Sequence, residues 1–392
     1  MVNFEFYSPT KIFFGKDVEL KVGNVIKEKG YKKVLLHYGK SSIIKSGLYD
    51  RIINSLKENQ IDYLELGGVE PNPKIDLVRK GVQLVKEAEV DLILAVGGGS
   101  VIDSAKLIGV GAKSMVDPWL YSIQKETPLE TVDLMVILTI AAAGSELSNS
   151  CVITNPDVTL KRGFNSEIIR PKYAFLNPEL TYSVSKFQTG CGIVDILMHT
   201  LERYLVHEDD ANLTFRFAEG LMKTVLEEGL KAINNPYDYT SRANLMLASS
   251  LSHNGLTGMG VKWFFTVHKL EHELSGFYDE VAHAAGLSIL YPAWARFISK
   301  KNSKKLAMFA RNVMNIENSG DDFVDANKGI DKLEDYFELI GMPTRMTDLG
   351  LTNVKFEEMA DSATDFGKKC VLGIENLDKY DIIEIYKTSY NR

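Results

Sequence analysis

The pattern of apolar residues changes near residue 180, and this change constrains the fold more than any other feature of the chain. Before it, apolar runs of strand length alternate with amphipathic segments, as where the segment 74–89 precedes the apolar run 91–96. This alternation predicts a parallel sheet with helices on both faces. The other strand-like runs are residues 32–38, 61–66, 133–141 and 173–178.

Beyond residue 180, apolar residues recur at intervals of three and four, and runs of β-branched residues are few. This spacing is typical of amphipathic helices that pack on one another. We therefore predict an α/β domain over residues 1–182 and an all-helical domain over residues 183–392.

The overall composition excludes several classes of partner. The 392 residues carry a net charge of −7, and no run of lysine or arginine offers a surface for nucleic acid or anionic lipid. The longest apolar stretch, residues 134–143, is too short to span a membrane, and the first residues lack the pattern of a secretory signal. We expect a cytoplasmic protein that acts on a small molecule.

Three consecutive glycines, Gly97, Gly98 and Gly99, follow the apolar run 91–96 directly, and Ser100 opens the next helical segment. Glycine permits a sharp turn and a close approach of the backbone, and free amide groups at a helix N-terminus favour an anion. The cluster therefore predicts a site for the diphosphate of a dinucleotide. A tight turn without a ligand would need the same residues, and the sequence alone leaves both interpretations open.

A second turn follows the strand-like run 32–38 and consists of Gly39, Lys40, Ser41 and Ser42. Sites that select NAD usually place a carboxylate here to bind the ribose diol, whereas NADP sites offer cationic or hydroxyl groups. The turn contains no carboxylate, so we predict binding of NADP(H) in preference to NAD(H). A solvated loop with one lysine is the alternative.

A third stretch, residues 139–150, is rich in small residues and lies at the end of a strand-like run. Its lack of bulk would let a flat ring or a ribose lie on the backbone, while Thr139 and Ser145 could donate hydrogen bonds. A close contact between a helix and a strand would explain these small residues equally well. The stretch therefore only supports the prediction of a nucleotide site.

Four side chains in the helical half have the spacing of a metal site. Asp195 and His199 are four residues apart and so share one face of a helix. His268 and His283 belong to a second segment, in which histidines are crowded. One carboxylate and three imidazoles suit Fe²⁺ or Zn²⁺, whereas Mg²⁺ and Ca²⁺ prefer shells of oxygen atoms.

The remaining histidines and the cysteines show no such spacing. His37, His207 and His253 are isolated, and we expect core or surface roles for them. The three cysteines are widely separated and include no CxxC pair. We therefore expect neither a disulfide framework nor a thiolate metal site.

Several segments of the chain resemble, in order and approximate spacing, those of the iron-dependent (group III) alcohol dehydrogenases: "GGGSVIDSAK", "AAGSE", "RPKYAFLNPELTYSV", "GIVDILMHTLERY" and "HKLEHELS". The resemblance covers residues 3–390 and is closest to the branch of NADPH-dependent butanol dehydrogenases and aldehyde reductases. It implies a Rossmann-like dinucleotide-binding domain, an all-helical metal-binding domain and an active site in the cleft between them. It also implies a homodimer or a larger assembly.

The resemblance also assigns roles to individual residues. The metal ligands that it implies are Asp195, His199, His268 and His283. The cofactor-binding residues that it implies are Asn72, Gly98, Gly99, Ser100, Asp103, Thr139, Ala142 and Lys161, to which the features above add Gly39, Lys40, Ser41, Ser42, Gly97 and Ser145. Lys40 lies where NAD-selective members keep an aspartate, which agrees with binding of NADP(H). His272 lines the site without binding the ion, and we count His272 and Asp103 as candidate catalytic residues.

The chain departs from the family pattern in two places. His268 and His283 are fifteen residues apart, one more than the fourteen of the family pattern, and the added residue could shift His283 or alter the mouth of the pocket. Ile140 lies at a strand end where relatives often have Leu-Pro. Neither departure removes a metal ligand.

The resemblance implies a hydride transfer. A divalent cation would polarise the carbonyl group of an aldehyde such as butanal, and NADP(H) would exchange hydride with it. His272, one helical turn from His268, is the candidate for proton relay because imidazole titrates near neutral pH, and its alternative role is to support the metal ligands by packing. Three other functions stay open: a dehydroquinate synthase-like lyase, a glycerol dehydrogenase-like enzyme, and a non-catalytic protein that binds metal or nucleotide.

Overall fold

The computed structural model describes residues 1–391, and this part of the chain divides into two compact units. The α/β unit comprises residues 7–184 and 236–250, and the helical unit comprises residues 1–6, 185–235 and those from 251 onward. The predicted domains differ from these units by two segments, 1–6 and 236–250, and by two residues at the boundary. The prediction divides the chain at a single boundary, so it cannot place a segment in the unit on the other side of that boundary.

Across residues 1–391 the chain forms eight strands: β1 (Lys11–Phe14), β2 (Lys33–Tyr38), β3 (Asp62–Leu66), β4 (Leu92–Gly97), β5 (Asp133–Leu138), β6 (Ser150–Asn155), β7 (Leu160–Asn165) and β8 (Tyr173–Leu176). Six of them form one parallel sheet in the order β1-β8-β5-β4-β2-β3. The other two, β6 and β7, form an antiparallel hairpin.

The sheet is buried on both faces. In β4, Leu92, Leu94 and Val96 belong to one apolar cluster, and Ile93 and Ala95 belong to the cluster on the opposite face. Successive side chains of a strand point to opposite faces, so a continuous apolar run fills both clusters at once. This is why the interior of β4 contains no polar residue.

The direction of the chain across the sheet reverses between β2 and β4. From β2 the chain moves to β3 on one side, crosses to β4 on the other side and continues outward to β5 and β8. Ligands of open α/β sheets bind at such a switch point, outside the carboxyl ends of the strands. Because Tyr38 of β2 is paired with Val96 of β4, the turns that begin at Gly39 and Gly97 are neighbours at this point.

The same described residues form fourteen α-helices: α1 (Val22–Glu28), α2 (Ser42–Lys45), α3 (Leu48–Glu58), α4 (Ile75–Glu87), α5 (Gly99–Ala112), α6 (Trp119–Ser122), α7 (Lys186–Tyr204), α8 (Asn212–Asn234), α9 (Tyr239–His253), α10 (Thr266–Phe277), α11 (His283–Asn312), α12 (Asp322–Leu339), α13 (Phe356–Thr364) and α14 (Lys379–Tyr390). The helices α1 to α6 and most of α9 belong to the α/β unit, and the others belong to the helical unit. Over residues 1–391, no helix combines the length and the apolar character needed to cross a membrane.

The predicted fold class is confirmed: a parallel sheet with helices is followed by a helical unit. All five predicted strands and the helix predicted at 74–89 are present, and their ends differ from the predicted ends by at most three residues. The sequence analysis does not anticipate β1, β6 or β7. β1 has only four residues, and the β7 sequence LKRGFN contains few apolar residues, so neither gives a strand signal.

Candidate metal centre and nucleotide site

Helix α7 carries the first two predicted metal ligands into the interior of the helical unit. Every residue of α7 from Thr189 to Tyr204 is buried, so polar side chains on this helix need partners inside the protein. Asp195 is 4% exposed and His199 is 5% exposed. Their spacing of four residues places both on one face of α7.

Three imidazoles surround one oxygen atom of Asp195. His199 Nδ1 lies 3.6 Å from Asp195 Oδ1, His268 Nε2 lies 3.7 Å from it and His283 Nε2 lies 3.8 Å from it. These separations are too long for direct hydrogen bonds. The four predicted metal ligands are thus brought together, although Asp195 and His283 are far apart in the sequence.

The spacing of these atoms fits a bound divalent cation. Two ligand atoms that each lie about 2.1 Å from one cation, at tetrahedral angles, are roughly 3.4 Å apart. Asp195 Oδ1, His199 Nδ1 and His268 Nε2 are also buried without a hydrogen-bond partner in the described part of the chain. Buried polar atoms without partners are costly, and a shared cation would satisfy all three.

Two buried carboxylates contact the Nδ1 atoms of His268 and His283 and so orient their rings. Glu202 of α7 contacts His268 Nδ1 and accepts a hydrogen bond of 2.6 Å from the Val267 amide. Glu271 of α10 contacts Nδ1 of His283 in the same way. Histidines that bind metals commonly donate their second ring N–H to a carboxylate, which leaves the other nitrogen for the ion.

Neither of these carboxylates is among the predicted site residues, although the sequence contains a signal for both. Glu202 lies three residues after His199 on α7, and Glu271 lies three residues after His268 on α10. Residues three apart share a helix face, so an acid at this spacing from a ligand histidine is a candidate partner for an imidazole.

The carboxylates around His268 favour the protonated form of its imidazole. Burial alone would lower the pKa of His268, but Glu202 and Asp195 outweigh burial and raise that pKa to about 9. Burial, together with repulsion from His253 and His268, lowers the pKa of His199 well below its usual value. His199 is therefore a neutral imidazole near pH 7, the form in which histidine binds a metal.

His268 and His283 lie on two helices that a short connection joins. α10 ends at Phe277, and α11 begins at His283 itself, so residues 278–282 connect the two helices. His283 still points its Nε2 atom toward Asp195. Its side chain is 27% exposed and is the most accessible of the four predicted ligands.

Two further histidines lie beside the four predicted ligands. The rings of His272 and His283 have centroids 5.5 Å apart, and His272 is partly exposed. His253, for which we expected a core or surface role, is buried with its ring centroid 4.1 Å from that of His199. Behind them, Arg203 donates a hydrogen bond of 2.7 Å to the backbone oxygen of His199.

In the α/β unit, packing requires glycine at two of the three positions at the start of α5. A Cβ atom at Gly98 would lie 2.2 Å from Ile140 Cγ2, and one at Gly97 would lie 2.5 Å from Val101 Cγ2. None of the three glycines has a positive φ. Close contact with the chain's own side chains, and not an unusual backbone conformation, therefore demands glycine here.

Asp103 and Ser145 form part of a buried network that ties α5 to the stretch 139–150. Ser145 Oγ donates a hydrogen bond of 2.5 Å to Asp103, whose other oxygen accepts one of 2.9 Å from the Val152 amide. Lys106 donates to Ser145 Oγ and to the Ser148 carbonyl oxygen, each at 2.9 Å. Both predicted residues thus have partners within the unit, and their contact with a cofactor stays a prediction.

The other predicted cofactor residues lie along the loops of the α/β unit. The Thr139 amide donates to the Gly97 carbonyl oxygen at 3.1 Å, and Ala142 accepts from Ser249 Oγ at the same distance. Lys161 of β7 is 5% exposed and is paired in register with Thr154. The Thr154 amide donates to the Pro73 carbonyl oxygen, so the hairpin lies next to buried Asn72.

The turn after β2 has an acidic neighbour that is not among the predicted site residues. Gly39, Lys40, Ser41 and Ser42 contain no carboxylate, but Glu70, from the segment that follows β3, places Oε1 2.6 Å from Lys40 Nζ. The one cationic side chain of this turn is therefore paired with a carboxylate from elsewhere in the α/β unit.

Comparison with known proteins identifies two family regions. Residues 9–178 match the profile described as "Iron-containing alcohol dehydrogenase", and residues 189–390 match "Fe-containing alcohol dehydrogenase family, C-terminal". Together the two regions account for most of the chain.

Individual relatives match over most of their length. The chain is 37% identical to NADH-dependent butanol dehydrogenase A of Clostridium acetobutylicum, over 100% of both chains. It is 38% identical to the NADPH-dependent aldehyde reductase YqhD of Escherichia coli, over 90% of each. Its fold matches the crystal structure of NADH-dependent butanol dehydrogenase A from Thermotoga maritima with a TM-score of 0.95 and 34% identity, covering 100% of this chain and 99% of that one.

Proposed function

The chain belongs to the iron-containing alcohol dehydrogenase family of oxidoreductases, and from this we propose a metal-dependent exchange of hydride between NADP(H) and an alcohol or aldehyde. The substrate that we propose is a primary alcohol or its aldehyde, such as butanol and butanal. The observation that carries the proposal is the convergence of three imidazole nitrogens on Asp195 Oδ1.

Asp195, His199, His268 and His283 would hold Fe²⁺ or Zn²⁺. When bound, the cation would serve as a Lewis acid for a carbonyl oxygen, and the nicotinamide would supply or accept the hydride. Glu202 and Glu271 fix the rings of His268 and His283, so that their Nε2 atoms face Asp195. This preorganisation favours binding of a cation in one geometry.

His272 is our candidate for the proton relay. It lies one helical turn from His268 on α10, its ring is close to that of His283, and its side chain is only partly buried. An imidazole can act as a general acid or base, and solvent reaches this one in part. In the direction of aldehyde reduction, His272 would deliver a proton to the product oxygen.

The nucleotide would bind at the switch point of the α/β unit. The amide groups at the start of α5 suit the diphosphate, and Lys40 suits a ribose 2′-phosphate. We propose a preference for NADP(H), with Asn72, Asp103, Thr139, Ala142, Ser145 and Lys161 completing the site. The relatives differ in the cofactor that their names give: the aldehyde reductase YqhD is NADPH-dependent, and butanol dehydrogenase A is NADH-dependent.

Consumption of NADPH with a panel of aldehydes tests this function. Metal-free protein would be reconstituted separately with Fe²⁺ and Zn²⁺, and oxidation of NADPH followed with butanal as the first substrate. We expect turnover only with metal present. No oxidation of NADPH or NADH with any aldehyde would contradict the proposal and favour a protein that binds metal or nucleotide without catalysis.

Substitutions separate the two halves of the site. Asp195→Ala and His268→Ala should abolish metal binding and turnover but leave NADPH affinity unchanged, because the metal ligands belong to the helical unit and the nucleotide residues to the α/β unit. The matched control is His207→Gln at an exposed histidine. Turnover that persists in metal-free Asp195→Ala protein would refute the ligand assignment.

We also propose that the chain forms a homodimer or a larger homo-oligomer, as the family resemblance implies. Sedimentation equilibrium of the metal-loaded protein measures this directly. A mass equal to that of one 43.8 kDa chain at all concentrations would contradict it.

A further inference from the structure

Lys40 and Glu70 form an exposed ion pair at the carboxyl end of β2. Glu70 Oε1 lies 2.6 Å from Lys40 Nζ, and the two side chains are 49% and 67% exposed. An exposed pair of this kind contributes little to folding stability. The location of the ion pair is more informative than its contribution to stability, because Lys40 is the only cationic side chain in the turn 39–42.

The backbone holds Glu70 beside this turn. The Gly68 amide donates a hydrogen bond of 2.8 Å to the Gly39 carbonyl oxygen, and the Val69 amide donates one of 3.3 Å to the carbonyl oxygen of Tyr38. Immediately after Glu70, the segment 71–73 is anchored by the hydrogen bond from the Thr154 amide to the Pro73 carbonyl oxygen. The meeting of Glu70 with Lys40 therefore follows from the fold and not only from two flexible side chains.

The same turn is where a dinucleotide would place its adenosine ribose. In open α/β sheets the ribose lies at the end of the strand next to the diphosphate loop, and an acid there binds the diol while a cation there binds a 2′-phosphate. Both β2 and β5 pair with β4, and β2 is the one across the switch point from it. Lys40, a cation that could bind a 2′-phosphate, and Glu70, an acid that could bind the ribose diol, therefore lie side by side.

We propose that Glu70 sets the choice between NADPH and NADH by competing with the ribose 2′-phosphate for Lys40. The inference rests on the proposed function, since it requires a dinucleotide at the switch point. Glu70 neutralises Lys40 and repels a phosphate, whereas its carboxylate accepts hydrogen bonds from the unmodified ribose diol. The preference for NADPH is therefore smaller than Lys40 alone would give.

A double-mutant cycle tests the competition. The variants are Glu70→Gln, Lys40→Gln and the double variant, with Glu28→Gln as matched control, because Glu28 forms another exposed pair with Lys29 at 2.9 Å in the same unit. In Glu70→Gln, the ratio of kcat/KM for NADPH to that for NADH should rise roughly fivefold. The change should appear in the KM for NADPH and should vanish in the Lys40→Gln background.

Ionic strength distinguishes this role from a structural one. The effect of Glu70→Gln should shrink between about 0.05 M and 0.5 M salt, because exposed charges are screened. A ratio that stays within twofold of the unsubstituted protein, or a rise that is equal in the Lys40→Gln background, would overturn the proposal.

Binding measurements separate this inference from the proposed function. Calorimetric titration of the metal-free protein with adenosine 2′,5′-bisphosphate, and with adenosine 5′-monophosphate for comparison, needs no turnover. Tighter binding of the bisphosphate to Glu70→Gln supports the inference even if no aldehyde is reduced. Absence of binding by either nucleotide to any variant would overturn both the inference and the nucleotide site.

Discussion

Glu202 orients a predicted metal ligand without being one itself. It is 2% exposed, contacts His268 Nδ1 and accepts a hydrogen bond from the Val267 amide. It therefore fixes both the ring of His268 and the first turn of α10. A group that orients a ligand in this way acts on metal affinity more than on folding.

Glu202→Gln keeps the shape of the side chain but removes its charge. We expect the affinity for Zn²⁺ to fall about 10- to 100-fold, because the His268 ring loses its carboxylate partner. Competition titration with a chelating dye measures the change, and Glu227→Gln, at an exposed position of α8, is the control. Equal Zn²⁺ affinities in the two variants would show that Glu202 has no orienting role.

His37 shows that an isolated histidine can belong to the core of the sheet. It is fully buried in β2, with Nδ1 2.8 Å from the Leu66 carbonyl oxygen and Nε2 2.9 Å from Ser104 Oγ. Burial lowers the pKa of His37 to about 4. The folded chain therefore keeps this imidazole neutral, while the unfolded chain binds a proton below about pH 6.5.

The stability of the protein should consequently fall as the pH is lowered from 6.5 toward 4. In this window the unfolded state binds the proton at His37 and the folded state does not, which removes up to about 3 kcal/mol from the free energy of unfolding. Urea unfolding of the unsubstituted protein and of His37→Gln measures this contribution. The variant should show a flatter pH dependence, and an unchanged slope would contradict the assignment.

At the scale of elements, α7 shows what the sequence predicts and what it does not. The spacing of Asp195 and His199 predicts a shared helix face, and the structure has both on α7. The same helix also carries Glu202 and Arg203 into the interior, and spacing alone cannot say which of several acids on a buried helix contacts a given imidazole. That choice depends on the contact of Glu202 with the start of α10, a long-range contact that local patterns do not encode.

The start of α5 also shows what the sequence predicts and what only the structure reveals. The three glycines predict a close approach of the backbone to a ligand or a tight turn, and the structure adds packing as a reason for two of them, because Val101 and Ile140 occupy the space that side chains at positions 97 and 98 would need. The requirement for glycine at position 98 should therefore depend on the residue at position 140.

Gly98→Ala should lower the free energy of unfolding by roughly 1–3 kcal/mol through overpacking against Ile140. The double variant Gly98→Ala/Ile140→Ala lacks the Cγ2 atom that the new methyl group would meet. Gly98→Ala should therefore lower the free energy of unfolding less when Ile140 is also replaced by alanine. Thermal unfolding of the two single variants and the double variant measures this. Additive losses would contradict a direct clash.

At the scale of the whole molecule, the sequence predicts the two classes of structure but not the return of residues 1–6 and 236–250 to the opposite units. The switch from strand to helix patterns is local and can be read directly. The assignment of a segment to a unit depends on long-range contacts, as does the meeting of Glu70 with Lys40. The NADP(H) prediction therefore rests on a turn whose electrostatic surroundings the sequence does not reveal.

Metal removal should destabilise the helical unit. A cation that satisfies three buried polar atoms stabilises only the folded state, and saturating binding should raise the Tm by roughly 10 °C. Differential scanning calorimetry with and without a chelator measures the shift. Asp195→Ala is the control, and a chelator effect of equal size in that variant would place the stabilising metal elsewhere.

The central claim is that Asp195, His199, His268 and His283 bind one cation. Anomalous scattering at the iron absorption edge, from crystals of the Fe²⁺-loaded protein, tests it most directly. We predict one peak per chain, with one carboxylate oxygen and three imidazole nitrogens about 2.0–2.2 Å away. A fully loaded protein with no peak among these four side chains would contradict the claim.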